Sequence, residues 1–311
     1  MDTRTLAMST QVAESQPEVV APPTVAAVPP PPELAEMVIG PPRGWQLINF
    51  RELWQFRELL FFLAWRDVKV RYKQTFLGAA WAILQPAMMM VVFTIFFNKI
   101  GGIATEKSAK DPPYELFVCA GLLAWTFFAT AIANAGQSVL GSERLITKIY
   151  FPRLSLPFAS VLAAVVDCLI AFGLLFVVMI WFQWWPTWQF LLVPGILFII
   201  TLGAMGVGTL LAGLHVAYRD FRYVTPFMIQ LWMFATPTVY MPTPPDADKG
   251  FVAFAMNCNP MTGLVASFRA ACLGTEIPWL SLSISTATVC VLFLAGCFYF
   301  RKVEDWFADI I

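Results

Sequence analysis

Charge is scarce in this chain. Of 311 residues only 13% are Asp, Glu, Lys or Arg, against roughly a quarter in soluble domains. The two signs balance at 20 each, so the basic excess of a nucleic-acid binder is missing and no nucleic-acid partner is expected. His215 is the one histidine, and the six cysteines are scattered without a C-x-x-C pair; a metal site and a disulfide scaffold both lack support. No G-x-x-x-x-G-K-S/T phosphate loop occurs, which excludes ATP hydrolysis by that route. Internal repeats, common in ion-coupled carriers, are also missing, and Asp167 is the one charge deep in an apolar run, so no carboxylate relay is visible. What abounds is apolar surface, at 59% of residues with a mean hydropathy of +0.68. That excludes disorder throughout and leaves an all-α polytopic membrane protein.

The chain divides by composition. Residues 1–44 carry Pro17, Pro22, Pro23, Pro29 to Pro32, Pro41 and Pro42. Proline at that density prevents helix and sheet, so a flexible cytoplasmic tail is expected. Its start lacks the apolar core of a signal peptide. Residues 45–75 read as an interfacial amphipathic helix. On a helical wheel Arg51, Gln55, Glu58, Arg66, Lys69 and Lys73 form one stripe, broken by Phe62, with Leu53, Phe56, Leu60 and Leu63 opposite. Trp54 and Trp65 suit a membrane interface. Asp67 and Arg71 have the spacing of a pair along the helix. Residues 76–302 form the membrane domain, and 303–311 a cytoplasmic tail.

A run of about 20 apolar residues crosses a ~30 Å hydrocarbon core. Runs at 77–97, 116–140, 154–185, 190–214, 226–240 and 279–300 give six spans, of which 226–240 is the shortest. Asp167 lies inside the third; a functional carboxylate and one merely protonated or hydrogen-bonded within the bundle are both open. The stretch 251–274 is apolar but interrupted by Asn259-Pro260 and by Arg269. It reads as a re-entrant outer hairpin before the last span. Placing both termini in the cytoplasm puts 13 basic residues on the inner side, besides Arg4 and Arg43 in the tail, and five on the outer, as the positive-inside rule asks. Trp181, Trp184, Trp185 and Trp188 then form an aromatic belt at the outer end of the third span.

A transport chain without its own phosphate loop needs a place to receive force. The segment 141–157, GSERLITKIYFPRLSLP, offers one. Ser142 has the character of an N-cap, Glu143 suits a first turn, and Pro152 stops the helix. Leu145, Ile146 and Ile149 make a small apolar face for docking into a groove, with Glu143, Arg144 and Lys148 as its polar rim.

Four segments resemble ABC-2-type permeases that export polysaccharides and polyol phosphates. They are WRDVKVRYKQTFLGAAWAILQPAMMM (65–90), GLLAWTFF (121–128), RLITKIYFPRLSLP (144–157) and NPMTGLVASFRAACLG (259–274). The resemblance runs in family order from about Leu53 to Lys302 and omits the tail. It implies a homodimer of six-span subunits in the bacterial cytoplasmic membrane, joined to two copies of a separate ATPase that binds ATP and Mg. The permease itself would be no enzyme and hold no cofactor. It implies a channel between subunits for a lipid-linked glycan, with 143–148 as the coupling helix and 53–71 as the interfacial helix. RYKQT and LGAAWAILQP look nearest to O-antigen exporters.

Such a substrate fits the chemistry. A polyprenyl pyrophosphate is anionic and would be drawn to Arg66, Lys69, Arg71 and Lys73. Aromatic faces let sugars slide, and Phe93, Phe96, Phe97, Trp125, Phe127, Phe128, Trp232, Phe234 and Tyr240 are the candidate wall; for each, bundle packing or lipid contact is the plainer alternative. Capsule or teichoic-acid export stays open, as do an ion-coupled carrier and an enzyme acting on a lipid-linked sugar.

Overall fold

In the computed structural model the residues described are 50–73, 78, 80–100, 112–240 and 259–304. The Pro-rich tail, the C-terminal segment from 305, residues 241–250 and the first half of the expected hairpin lie outside them. The described residues are helical, without strands. In chain order the helices are α1 (Phe50–Gln55), α2 (Arg57–Lys73), α3 (Ala80–Phe93), α4 (Tyr114–Ser138), α5 (Glu143–Ile146), α6 (Ser155–Trp181), α7 (Val193–Ala217), α8 (Phe221–Ala235), α9 (Pro260–Leu273) and α10 (Trp279–Glu304). A π-helical stretch, Thr94–Ile100, prolongs α3, and a 3₁₀ turn, Trp188–Leu192, precedes α7.

Five helical segments are long and apolar enough to cross a membrane: Ala80–Phe97, Tyr114–Ser138, Ser155–Trp181, Trp188–Ala217 and Trp279–Glu304. The remaining expected span differs in extent. Helix α8 has 15 residues, about 22 Å at 1.5 Å per residue, and it begins five residues before the expected start at Pro226. Arg222 belongs to its first turn. Pro226 therefore sits inside the helix rather than opening it.

Helix α4 is the centre of the bundle. In its most apolar stretch 78% is buried within the protein, against 6% for Ala80–Phe97. It packs on α6, α7, α9 and α3. Its core partners include Val161, Leu175, Ile200, Leu264, Val265 and Phe268. Helices α7 and α10 meet through glycine. A Cβ on Gly206 would lie 2.5 Å from the Phe293 Cα, and one on Gly296 would strike the Gly206 carbonyl. Small residues let membrane helices approach this closely, and dispersion contacts then hold them.

At the end of the bundle that carries α5, a second cluster gathers Leu63 and Ala64 of α2 and Val139 beyond α4. It also takes in Phe151, Leu156 and Ala159, with Ala212 and Val216 of α7 and Phe300 of α10. The expected single interfacial helix breaks at Phe56, between α1 and α2. Its apolar residues also divide otherwise than the wheel suggests. Leu63, Ala64 and Val68 are buried, α2 packing on α6, while Phe61, Phe62 and Trp65 point outward. A wheel assumes one apolar side; a helix seated between a bundle and lipid has two.

The other end is tied by polar contacts. Trp181, Trp185 and Trp188 are exposed as a belt requires, but Trp184 turns inward and its indole donates to the Leu273 carbonyl at 3.0 Å. Helix α9 starts at Asn259, whose side chain accepts from the Met261 amide, and ends at Gly274 with φ 74°. A Cβ at Gly274 would also meet the Thr187 hydroxyl, so glycine is required twice over. Cys272 is buried in the core.

Candidate functional site

Polar side chains are rare in this bundle and they collect. Thr126, Thr130 and Asn134 recur every four residues along α4, hence on one face. Ser160 and Asp167, two turns apart on α6, lie across from them. Arg66, Asp67, Arg71 and Tyr72 come from the last turns of α2, and Gln85 from α3. Together they line two adjoining cavities. One, of about 390 Å³, is bounded by Arg71, Tyr72, Trp81, Gln85, Thr126, Phe127, Thr130, Asn134 and Asp167, among others. The second, of about 560 Å³, runs past Arg66, Asp67, Arg71, Asn134, Gln137, Ser138 and Ser160 to Gly141 and Ser142. Arg71 and Asn134 belong to both, so one polar lane leads from the α4–α5 loop into the bundle.

The charges in the lane are paired. Arg71 forms an ion pair with Asp167, and the Tyr72 hydroxyl donates to the other oxygen of the same carboxylate. Burial pushes the Tyr72 phenol up despite the opposing pull of Arg71, so it remains a donor at neutral pH. The expected Asp67–Arg71 pair is replaced: Asp67 pairs with its neighbour Arg66 at 2.9 Å and accepts from Ser160 at 3.3 Å. The reason is geometric. Arg71 reaches Asp167 on α6, and Asp67, one turn earlier on α2, is left with Arg66 and Ser160. Asp167 is thus held by a cation and a hydroxyl within the bundle. Lys69 and Lys73 are exposed, Lys69 standing 5.7 Å from the Trp65 ring.

The expected glycan wall does not come together in one protomer. Phe93, Phe96 and Phe97 form one group at the α-to-π transition, with ring centroids 6.0 and 5.4 Å apart. Trp125, Phe128 and Trp232 form another, at 5.2 to 6.2 Å. Trp125 and Phe128 are 2% and 1% exposed. They fill the core instead of lining a path, because α4 is enclosed on several sides. Phe127 borders the smaller cavity. Phe234 is exposed, and its carbonyl accepts from the Tyr240 hydroxyl at 3.1 Å.

The loop helix begins at Glu143 as expected but ends at Ile146, short of Lys148 and Pro152, and Ser142 makes no side-chain cap; it is buried against the lane. Leu145 and Ile146 pack, half-buried, on the protein's own cluster with Leu63 and Phe151. The exposed apolar side chains are Ile149 and Tyr150, while Glu143, Arg144 and Lys148 are exposed as a rim would be. His215 is buried at the end of α7, its Nε2 2.8 Å from the Thr225 hydroxyl, and thus ties α7 to α8.

Arg269, counted among the outer charges, is 6% exposed. Its Nη2 donates to the carbonyls of Pro237 and Thr238 at 3.0 and 2.7 Å, and its guanidinium lies 3.5 Å over the Phe117 ring. Gly121 makes room: a Cβ there would meet both Thr238 O and Arg269 Nη2.

A helical membrane bundle with a charged and polar lane opening at one end, beside a short loop helix, defines a membrane transport protein rather than an anchor. The chain belongs to the ABC-2 type transporter family, whose profile matches residues 58–273. It is 29% identical over 262 residues to an O-antigen export system permease protein, RfbA, of Myxococcus xanthus, covering 84% of this chain and 98% of that one. Two proteins of the same name from Klebsiella pneumoniae are 24% identical over 255 residues, covering 82% of this chain and 95% of theirs.

Proposed function

We propose that the protein is the permease subunit of an exporter that moves a lipid-linked, O-antigen-like glycan outward across the bacterial cytoplasmic membrane. The observation that carries this reading is the lane itself, which joins the loop at Gly141–Ser142 to a membrane-depth ion pair. The names of the relatives supply the substrate class. Two copies of a separate ATPase dock at Glu143–Tyr150 and bind the ATP and Mg. Two permeases pair through α3, its π-helical extension and α8, whose outward faces carry Met88, Phe96, Phe227 and Phe234. The glycan passes between them. Helix α8 with the turn after it completes a sixth span, and α9 is the returning arm of the outer hairpin. Both termini are cytoplasmic. Lys69 and Lys73, exposed at the end of α2, meet the lipid pyrophosphate with Arg66 beside them, while Arg71 keeps its pairing with Asp167.

The test is reconstitution of permease with the neighbouring ATPase in vesicles loaded with a polyprenyl-pyrophosphate glycan. ATP-dependent appearance of glycan on the far side supports the reading. Movement driven by an ion gradient without the ATPase defeats it. In intact cells, outside labelling should reach a cysteine at Lys107 or Asp246; labelling at Lys148 would overturn the topology.

A further inference from the structure

The smaller cavity lies inside a single protomer, between α2, α3, α4 and α6, and its chemistry selects a ligand. At about 390 Å³ it falls in the range of small-ligand sites, roughly 300–1,000 Å³. Its charges cancel internally, Arg71 with Asp167 and, next door, Arg66 with Asp67. A free anion entering here has to displace a carboxylate from a guanidinium; a neutral polyol does not. The remaining polar groups alternate between donors and acceptors. The amides of Asn134 and Gln85 offer both. The hydroxyls of Thr126 and Thr130 donate to the carbonyls of Leu122 and Thr126, each at 2.7 Å, and so keep lone pairs free as acceptors. One wall is the flat indole of Trp81. Paired amides and a carboxylate for hydroxyls, with an aromatic plate for a C–H face, make up the chemistry of sugar-ring recognition.

We propose that this cavity binds one pyranose ring of the transported glycan within the protomer, separately from any path between subunits. The ring stacks on Trp81. Its hydroxyls donate to Asp167 and exchange hydrogen bonds with Asn134 and Gln85. This deepens the transport reading and rests on it.

The test uses the permease–ATPase complex in vesicles with two probes, polyprenyl pyrophosphate bearing a single hexose and the same lipid without sugar, and reads ATPase stimulation against probe concentration. In Asn134→Leu and Trp81→Leu the half-saturating concentration of the hexose-bearing lipid should rise tenfold or more. That of the sugar-free lipid should stay within twofold. Trp81→Phe should restore most of the loss; Trp81 is half exposed, so its replacement leaves the fold in place even if Asn134→Leu does not. Equal shifts for both lipids, or none for either in Trp81→Leu, overturn the sugar site while leaving the transport reading standing. A wild-type complex that neither lipid stimulates overturns both.

Discussion

Replacing Arg269 by Met should loosen the outer end of the bundle more than any other single polar change. The side chain is long enough to keep the packing, but the charge disappears and the carbonyls of Pro237 and Thr238 lose their donor. Two hydrogen bonds to a charged group contribute about 1.5–3 kcal/mol each. The contact with Phe117 adds ~2 kcal/mol in a desolvated setting. Against this, removing a buried cation relieves a desolvation cost of several kcal/mol. The balance is a destabilisation of about 3 kcal/mol, a drop in Tm of roughly 6–12 °C for a chain of this size. The loss should be local. Asn259 holds the same segment, donating to the Ala235 carbonyl and the Thr236 hydroxyl at 3.2 and 2.9 Å and accepting from the Trp232 indole at 2.9 Å. Arg269→Met and Asn259→Leu should therefore be non-additive by about 0.5–3 kcal/mol in a double-mutant cycle. The assays are thermal unfolding of purified permease and hydrogen exchange of the amides at 236–239. An unchanged Tm with unchanged exchange would refute the idea that this cation fastens α8.

Changing Ile149 and Tyr150 together to Asp should abolish co-purification of the ATPase while the permease remains stable, because both side chains are exposed. Changing Leu145 and Ile146 to Asp should instead lower permease stability by several kcal/mol, since these pack on the protein's own cluster; equal stability of the two double variants would contradict the structure. Gly296→Leu should separate α7 from α10 and cost about 3 kcal/mol or more through overpacking, read as reduced yield of folded protein. Gly274→Ala, strained at φ 74° and blocked by Thr187, should cost about 1–2 kcal/mol, again by Tm. Deleting Met1–Pro42 should leave export and membrane insertion intact; loss of export with normal insertion would assign the tail a role.

Spans such as α4 and α7 were legible because a charge-free run beyond about 20 residues has few other readings. The α8 boundary was not, since a charge at a span end is compatible with the helix. The lane was half legible. Asp167 stood out as a lone buried carboxylate, and the recurrence of Thr126, Thr130 and Asn134 every fourth residue was a signal available within α4 and passed over. That Arg71 answers Asp167 was not readable, because the two lie on helices far apart in the chain and the local partner Asp67 offers an equally good spacing. The same limit applies to Arg269, whose partners are carbonyls, which no residue type announces. The aromatic wall misled for a related reason: Trp125 and Phe128 have the composition of a sugar path, but enclosure of α4 is a property of the assembled bundle.

The placement of the loop helix bears on how force would travel. Leu145 and Ile146 share one apolar cluster with Leu63 and Ala64 of α2 and with Phe151 and Phe300. Close-packed interiors transmit displacement because they cannot be compressed. A push on α5 is therefore delivered to α2 rather than absorbed by the loop. Arg153, just beyond α5, donates to the Glu304 carbonyl at the end of α10, so the far side of the cluster is anchored and α2 is the part free to respond. The other end of α2 carries Arg71, which grips Asp167 on α6. A partner that pushes on Glu143–Tyr150 would therefore move α2 and, with it, the Arg71–Asp167 pair in the polar lane.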